Sequence, residues 1–388
     1  AILKEADSLD MDKADHMIEN VIGRFTLPMG VGINFVINGK DYVIPMVTEE
    51  PSVVAACSNA AKMARPGGGF TTDYTGSVMI SQIQLLDVPA PFYAKGKILE
   101  NKEKIAEICN ARDPMLVKLG GGVKDVEVRV LDSLVGPMVV VHLLVDTGDA
   151  MGANAVNTMA EAVAPFLEEL TGGRAELRIL SNLADHRIAR ARAVFKKDAI
   201  GGEEVVDKMI AAYAFAAADP YRAATNNKGI MNGIIPVVIA TGNDTRAIES
   251  GAHAYAARSG QYSPFATWEK NADGDLVGSI EMPMAVGLVG GATKIHPAAK
   301  VAVKMLGVKT AGELAQIIAA VGLAQNMAAM RALATEGIQR GHMSLHARNL
   351  AATAGATGEL LEKIVKQMVS EKNVRLEYAQ ELVKQYQK

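Results

Sequence analysis

Residues 78–181 constrain the fold more than any other stretch of this 388-residue chain. Strand-like and helix-like hydrophobic patterns alternate along it and predict a βαββαβ order, which is that of the ferredoxin-like arrangement. Such an arrangement closes on itself as a separate small domain. The predicted strands are 78–86, 125–131, 137–146 and 175–181, and the predicted helices are 97–112 and 152–170.

The residues on either side of this stretch are predicted to form one larger domain. Asn38-Gly39 separates two β-rich runs, which is typical of a β-hairpin, and a helix is expected from Pro51 to about Arg65. Alanine-rich helices dominate the later part, including buried helices at 311–321 and 323–336. We therefore expect an α+β protein with a mainly helical large domain. The predicted domains are 1–76 with 183–341, 77–182, and a C-terminal helical unit at 342–388.

The composition excludes several classes of function. The formal net charge is -3, and no basic cluster is interleaved with aromatic residues, which disfavours nucleic-acid binding. Cys57 and Cys109 are too few for a disulfide framework, and no CxxC or HExxH spacing offers a metal site. The apolar runs IIPVVIAT and MVVVHLLV have eight residues each, whereas a membrane helix needs about 20. We expect a cytoplasmic, metal-free protein with no membrane anchor.

A lone lysine among amides, Lys228, marks the strongest candidate site. Amides hydrogen-bond without neutralising an ammonium, so Lys228 would keep its charge and could polarise a carbonyl group. Arg222 adds a forked cation that suits a carboxylate. These residues predict a site for an anionic carbonyl compound, and the alternative is a polar turn with a solvated lysine. The amides are Asn226, Asn227 and Asn232.

Two junctions between a strand and a helix carry further candidates. Glu50 follows the second strand of the hairpin, where a carboxylate either caps the next helix or acts as a general acid in a cleft. The motif DAMGAN (149–154) opens the predicted helix 152–170, and a helix N-terminus can bind an anion such as a pyrophosphate. No G-x-G-x-x-G follows a strand here. The alternative for this second junction is a helix capped by Asp149.

Two histidines, His342 and His346, lie four residues apart and so share one face of a helix. No carboxylate stands at a companion spacing, so a metal site is disfavoured. The remaining alternatives are a structural role and a histidine at the base of a lid that meets substrate on closure. Amphipathic helices are predicted to follow at 359–369 and 374–386.

Six motifs in order along the chain resemble those of class II 3-hydroxy-3-methylglutaryl-CoA (HMG-CoA) reductases. The resemblance implies a two-step reduction of the thioester HMG-CoA to mevalonate and free CoA, or the reverse, with two nicotinamide cofactors used in turn. This reaction belongs to the mevalonate pathway of isoprenoid biosynthesis. The motifs are ENVIG (19–23), EEPS (49–52), DAMGAN (149–154), NKG (227–229), TGND (241–244) and LHARN (345–349).

The resemblance also implies roles for individual residues. Lys228 would stabilise the negative charge that forms on oxygen, Glu50 would supply or remove the proton, and His346 would protonate the departing CoA thiolate. Asp244 would orient Lys228. The two are sixteen residues apart, roughly 24 Å along a straight helix, so a bend is expected at Gly233 or Pro236. The residues implied to bind the hydroxymethylglutaryl group are Ser52, Arg222 and Asn232, and those implied to bind the nicotinamide cofactor are Asp149, Met151, Gly152 and Asn154.

Asp113 bears on the choice of cofactor. An acidic residue near the adenosine ribose accepts hydrogen bonds from the ribose hydroxyls of NAD and repels the 2′-phosphate of NADP. The resemblance places Asp113 there, which predicts a preference for NADH, with some NADPH use because Arg112 could neutralise the phosphate. The alternative is that Asp113 merely precedes Pro114 in a turn.

The resemblance further implies a homodimer with each active site at the subunit interface, and assembly into a higher oligomer stays open as an alternative. Residues 342–388 would form a flap that carries the catalytic histidine. Two other functions stay open: a CoA-thioester lyase or acyltransferase without redox chemistry, and a non-catalytic CoA-binding oligomer. An acyltransferase requires an activated cysteine or serine, yet no histidine lies near Cys57 or Cys109 in the sequence.

Overall fold

The computed structural model describes residues 9–335 and 337–386, with residues 338–345 described by their backbone alone. Hydrophobic side chains in this part of the chain form three separate clusters. The first fills a large α+β unit, the second fills an insertion between residues 78 and 184, and the third joins the C-terminal helices.

The N-terminal part supplies a hairpin and the first helix of the large unit. Asn38 (φ 49°) and Gly39 (φ 79°) form its two-residue turn, so the predicted hairpin is confirmed. The next helix begins at Val53 rather than at Pro51, because Ser52 occupies the N-cap position. The elements are α1 (Met11–Asp15), β1 (Met29–Ile37), β2 (Lys40–Val47), α2 (Val53–Ala64) and β3 (Phe70–Tyr74).

The inserted unit has one four-stranded sheet with helices packed on one face. Its strand order is β5-β6-β4-β7, and all neighbours are antiparallel. The four predicted strands are observed, whereas the predicted helix 97–112 is two helices that meet at Asn101. The elements are β4 (Val78–Leu86), α3 (Pro91–Glu100), α4 (Lys102–Asn110), α5 (Pro114–Lys118), β5 (Gly122–Leu131), β6 (Met138–Asp146), α6 (Ala153–Thr171) and β7 (Arg174–Ser181).

The chain then returns to the large unit, which has a six-stranded sheet in the order β2-β1-β3-β8-β10-β9. The prediction of a mainly helical domain missed four of these strands. In β8, alanines face the core while Arg190 and Arg192 face outward, and alanine is a weak strand former, so the alternation gave little signal. The elements are β8 (Ile188–Phe195), α7 (Lys197–Ile200), α8 (Glu203–Ala218), α9 (Pro220–Ala240), α10 (Thr245–Ala256), β9 (Ala266–Lys270), β10 (Leu276–Pro283), α11 (Gly291–Ile295), α12 (Pro297–Leu306) and α13 (Ala311–Ala334).

Helix α13 runs through the core as one helix, where two were predicted. Reciprocal glycines allow it to pack closely on α9. A Cβ on Gly233 would lie 2.7 Å from Cβ of Gln325, and a Cβ on Gly322 would lie 2.8 Å from Cδ1 of Ile234. Larger residues at either glycine would push the two helices apart.

Helix α13 is also the one helix in the described residues that is long and apolar enough to cross a bilayer. However, 67% of its most apolar window is buried inside the fold, as in the core helix of a soluble protein. Its hydrophobicity is therefore explained by its position in the core.

Three C-terminal helices form a small unit with its own apolar cluster. Ile364 and Met368 of the second helix pack with Leu382 of the third. The two amphipathic helices predicted at 359–369 and 374–386 are confirmed. The elements are α14 (Ile338–Thr353), α15 (Gly358–Ser370) and α16 (Leu376–Tyr386).

Candidate active site

Helix α9 presents Lys228 and Asn232 one turn apart, on the face that meets the end of β2. Nζ of Lys228 donates a hydrogen bond to Oε2 of Glu50 at 3.0 Å, and Nδ2 of Asn232 donates to Oε1 at 3.2 Å. Both carboxylate oxygens of Glu50 are thus held by α9, and no side chain caps α2. The alternative in which Glu50 merely caps a helix is therefore wrong.

The exposure of this pair leaves room for a ligand. The side chain of Lys228 is 64% exposed and that of Glu50 is 33% exposed. A carbonyl oxygen can therefore reach the ammonium without displacing the core. The arrangement combines a cation that can stabilise an oxyanion with a carboxyl group that can exchange a proton.

The other two amides of the segment serve the fold. Asn226 and Asn227 are buried, whereas the side chain of Lys228 is mostly exposed. Nδ2 of Asn227 donates to the hydroxyl of Tyr262 at 2.9 Å, and Oδ1 of Asn226 accepts from Asn326 at 2.9 Å. The prediction of three amides around the lysine holds for Asn232 alone, because Asn226 and Asn227 anchor α9 to its neighbours.

Ser52 and Arg222 remain free to contact a ligand. Ser52 has φ 76°, a left-handed conformation that costs a non-glycine residue on the order of 1–3 kcal/mol and clusters at functional sites. Its hydroxyl makes no helix-capping bond. Arg222 is half-buried, and its guanidinium has no hydrogen bond or ion pair with any residue that the structure describes.

Asp244 does not contact Lys228. It caps α10 by accepting from the backbone N–H of Arg246 at 2.9 Å, and it pairs with the Arg246 guanidinium. Burial would raise the pKa of Asp244, but hydrogen bonds from Arg246 and Ala247 outweigh it and hold the pKa below the usual range. The sequence did not indicate this competing partner.

At Gly233 and Pro236, where a bend was expected, the chain does not leave the helix, because α9 is continuous through both residues. The chain turns only after Ala240, where Gly242 adopts φ 70°. At that turn a Cβ would lie 2.8 Å from the backbone nitrogen of Thr293, so both the conformation and the close contact require glycine.

The N-terminus of α6 forms a second candidate site. Gly152 precedes the helix with φ 94°, and no side chain caps the first turn. Oδ1 of Asp149 instead accepts from the backbone N–H of Ala311 at 2.7 Å, at the start of α13. The alternative in which Asp149 caps α6 is therefore wrong. The uncapped N–H groups beside the exposed side chain of Asn154 fit an anionic ligand.

A glycine-rich segment of the large unit holds the DAMGAN loop. The backbone N–H of Leu288 donates to the carbonyl of Asp149 at 2.8 Å, and that of Gly287 donates to Oδ1 of Asn243 at 2.7 Å. A Cβ on Gly287 would lie 2.5 Å from the nitrogen of Met151. This contact places Asn243 of the TGND motif next to the DAMGAN loop.

Sequence reasoning missed one buried residue at this junction, Arg187. Its guanidinium donates to the carbonyls of Ala150 and Met151, each at 3.2 Å. It is one of several arginines in the run HRIARAR, and no pattern in that run distinguishes it from the others.

Asp113 and His346 complete the predicted set. Oδ1 of Asp113 accepts from the backbone N–H of Leu116 at 2.9 Å, so Asp113 caps the short helix α5, where the alternative interpretation had a turn. His346 is exposed on α14, and no hydrogen bond among the described residues joins it to Lys228 or Glu50. The side chain of His342 lies outside the described residues.

The two cysteines are unsuited to nucleophilic catalysis. Both are buried, and burial raises the pKa of Cys57 and that of Cys109 to about 12 each. A thiol with such a pKa stays protonated near neutrality and does not attack a thioester. This removes the cysteine-based route to an acyltransferase.

Comparison with known proteins decides the family. The model of the hydroxymethylglutaryl-coenzyme A reductase family matches residues 2–347. The chain belongs to this family. A 3-hydroxy-3-methylglutaryl-coenzyme A reductase from Archaeoglobus fulgidus is 63% identical over 378 residues, which cover 97% of this chain and 86% of the relative. A probable enzyme of the same name from Borreliella burgdorferi is 39% identical over 346 residues, 86% of this chain and 77% of the relative.

A solved structure supports the same assignment. The class II HMG-CoA reductase from Streptococcus pneumoniae, bound to NADPH in open conformations, aligns with a TM-score of 0.83 and 43% identity. The alignment covers 97% of this chain and 92% of the solved chain. The chain is an NAD(P)-dependent oxidoreductase with the HMG-CoA reductase function, so the resemblance seen in the sequence is confirmed. The alternative without redox chemistry is not supported.

Proposed function

We propose that Glu50, Lys228 and Asn232 form the reaction centre of this HMG-CoA reductase. The observation that carries the proposal is the pair of hydrogen bonds from α9 to the two oxygens of Glu50. When a carbonyl of the substrate is reduced, its oxygen gains negative charge, which the Lys228 ammonium stabilises at short range. Glu50 gives or takes the proton through the same contact.

The hydroxymethylglutaryl group is proposed to lie between α2 and α9. Ser52 offers a hydroxyl held in a strained backbone conformation, and Arg222 offers a guanidinium for the substrate carboxylate. Asn232 would contact the substrate as well as Glu50. Asp244 is the remaining catalytic residue that we propose. To orient Lys228 directly, its carboxylate would have to leave Arg246 and bind the lysine instead.

His346 is proposed to protonate the CoA thiolate, since a thiol with a reference pKa of about 8.5 needs a proton donor near neutrality. Its exposed position on α14 and the separate apolar cluster of α14–α16 support a flap at 342–388 that carries this residue to the substrate.

The nicotinamide cofactor is proposed to bind at the N-terminus of α6, through Asp149, Met151, Gly152 and Asn154. The cofactor supplies hydride when it is bound. The uncapped N–H groups of the first turn can bind an anionic group of the cofactor, and Gly152 has no side chain that would block this group. Asp149 would act through the loop that it anchors, because its carboxylate is bonded to α13.

A preference for NADH over NADPH is proposed from Asp113. Its Oδ1 caps α5, while Oδ2 makes no hydrogen bond to the described residues and can accept one from a ribose hydroxyl. NADPH use at lower efficiency remains part of the proposal, because the neighbouring Arg112 is exposed and can reach a phosphate.

The proposed domains correspond to the proposed cofactor site and the proposed substrate site. We propose that residues 77–182 are a ferredoxin-like cofactor domain, inserted into a substrate domain of residues 1–76 and 183–341. The separate apolar clusters of the two units support this division.

A homodimer with active sites at the subunit interface is proposed from exposed apolar residues near the N-terminus. Ile22 and Phe25 are almost fully exposed, and Ile33 and Val43 of the hairpin are also exposed. Exposed apolar side chains of this size mark contact surfaces. A cytoplasmic location is proposed in addition, and the two free thiols agree with a reducing compartment.

One experiment tests the reaction centre. Glu50→Gln keeps the size of the side chain but removes its charge and its exchangeable proton, whereas Glu49→Gln makes the same change on the adjacent exposed residue. We expect HMG-CoA-dependent NADH oxidation to fall on the order of 10²-fold or more in Glu50→Gln and to stay near wild type in Glu49→Gln. Equal activity of both variants would refute the proposed role of Glu50.

A further inference from the structure

Arg187, immediately before β8, is a fully buried cation at the junction of the large unit and the inserted unit. Arg187 forms no ion pair with a carboxylate among the described residues. Instead, Nε donates to the hydroxyl of Tyr74 at 2.6 Å, and Nη2 donates to the carbonyl of Val286 at 2.5 Å. These two acceptors belong to the large unit.

The remaining acceptors belong to the loop between β6 and α6. Nη1 lies 3.1 Å from Oγ1 of Thr147 and 3.2 Å from each of the carbonyl oxygens of Ala150 and Met151. One guanidinium therefore ties the DAMGAN loop to β3 and to the glycine-rich segment after β10.

The electrostatic cost of this arrangement indicates a specific role. Burying an unpaired charge costs several kcal/mol, and convergent hydrogen bonds are needed to compensate it. A packed apolar side chain would join the two units without this cost. The guanidinium does what an apolar residue cannot, because it fixes the direction in which carbonyl groups point.

The direction of these carbonyls determines where the loop N–H groups point. In a trans peptide unit the C=O and the following N–H point in opposite directions. The carbonyls of Ala150 and Met151 face Arg187, so the N–H groups that follow them face away from it. The N–H of Met151 lies against the glycine-rich segment, whereas that of Gly152 extends the uncapped first turn of α6. Arg187 thus lies on the carbonyl side of the DAMGAN loop, opposite the side proposed to face the cofactor.

We propose that Arg187 is a positioning residue for the nicotinamide cofactor, and that it orients the N–H groups at the start of α6 toward the anionic part of the cofactor. The inference rests on the proposed cofactor site at α6. A lysine cannot replace Arg187, because three donors on one nitrogen do not span acceptors on separate segments as the planar guanidinium does.

The test compares Arg187→Lys with Arg190→Gln in the full-length enzyme. Arg190 lies three residues further on, and its half-exposed side chain pairs with Asp73 and Glu281. We expect Arg187→Lys to raise the Kd for NADH about tenfold or more, which corresponds to the loss of one charge-assisted hydrogen bond, and to change the Kd for HMG-CoA less than about twofold. Arg190→Gln should leave both values near wild type. Calorimetric titration measures each ligand separately.

An equal loss of both affinities would indicate a merely structural role and overturn the proposal, as would an unchanged NADH affinity. If Arg187→Lys does not fold, Thr147→Val removes one acceptor while keeping the guanidinium. It should then weaken NADH alone, and wild-type affinity would overturn the proposal.

A further pair of variants separates this inference from the cofactor site itself. Gly152→Ala and Asn154→Ala alter the proposed site directly. If neither weakens NADH binding, the site at α6 is wrong. If both do and Arg187→Lys does not, the site stands and the positioning role alone fails.

Discussion

Removing the ammonium of Lys228 separates catalysis from stability more sharply than any other change at the site. In Lys228→Ala the ion pair with Glu50 is lost, but the lysine side chain is 64% exposed. Exposed ion pairs contribute about 0–1 kcal/mol to the free energy of unfolding. Asn232 still holds Glu50 at 3.2 Å, so we expect the fold to survive with a melting temperature within a few degrees of wild type.

The effect on the reaction should be much larger. A single fixed donor to a developing oxyanion contributes a factor of about 10²–10³ to kcat, or roughly 2.7–4 kcal/mol of the barrier. The substitution also takes away the route by which Glu50 exchanges its proton. We therefore expect kcat to fall at least about 10²-fold, with HMG-CoA and with free mevaldehyde alike, because both reductions place charge on a carbonyl oxygen.

The assay is NADH oxidation with each substrate, together with thermal unfolding of the same preparations. Lys208→Ala is the matched control, since Lys208 makes a similarly exposed ion pair with Glu204 on α8. It should keep wild-type kcat and stability. A kcat for Lys228→Ala within about tenfold of wild type would refute the assigned role, and so would a loss of kcat matched by global unfolding.

Three other perturbations address the cofactor, the flap and the response to pH. Asp113→Asn keeps the cap of α5 and removes the charge, so kcat/KM for NADPH should rise relative to NADH; no change would refute charge exclusion. His346→Gln should impair the thioester reaction and spare mevaldehyde, and equal losses would contradict thiolate protonation. Burial and the nearby Arg129 lower the pKa of His142. Below about pH 6.5 the unfolded state therefore binds a proton at this residue that the folded state does not yet bind. Stability should fall on acidification by up to roughly 1.4 kcal/mol per pH unit from this residue, and His142→Gln should reduce that slope in urea unfolding at pH 7.5 and 5.5.

Sequence by itself determined the elements whose patterns are local. The four strands of the inserted unit and its helix α6 follow from the spacing of apolar residues, and the hairpin at Asn38-Gly39 follows from the backbone preferences of two residues. The six motifs identified the family because they occur together and in order. Each of these signals lies within a few neighbouring residues.

The tertiary structure decided which polar groups meet. Glu50 and Lys228 are 178 residues apart in the chain, and only the packing of α9 against the end of β2 brings their side chains to 3.0 Å. The sequence grouped Asn226, Asn227 and Asn232 together, yet helical geometry turns only Asn232 toward Glu50, because residues four apart share a face and adjacent residues do not.

The same reason explains Asp149 and Arg187. A carboxylate before a helix suits the cap of that helix, but Asp149 bonds to Ala311, 162 residues further along the chain. Arg187 finds its acceptors on three separate segments. A charged or polar side chain takes the partner that packing places within hydrogen-bond distance, and a single sequence read in local windows does not contain that distance.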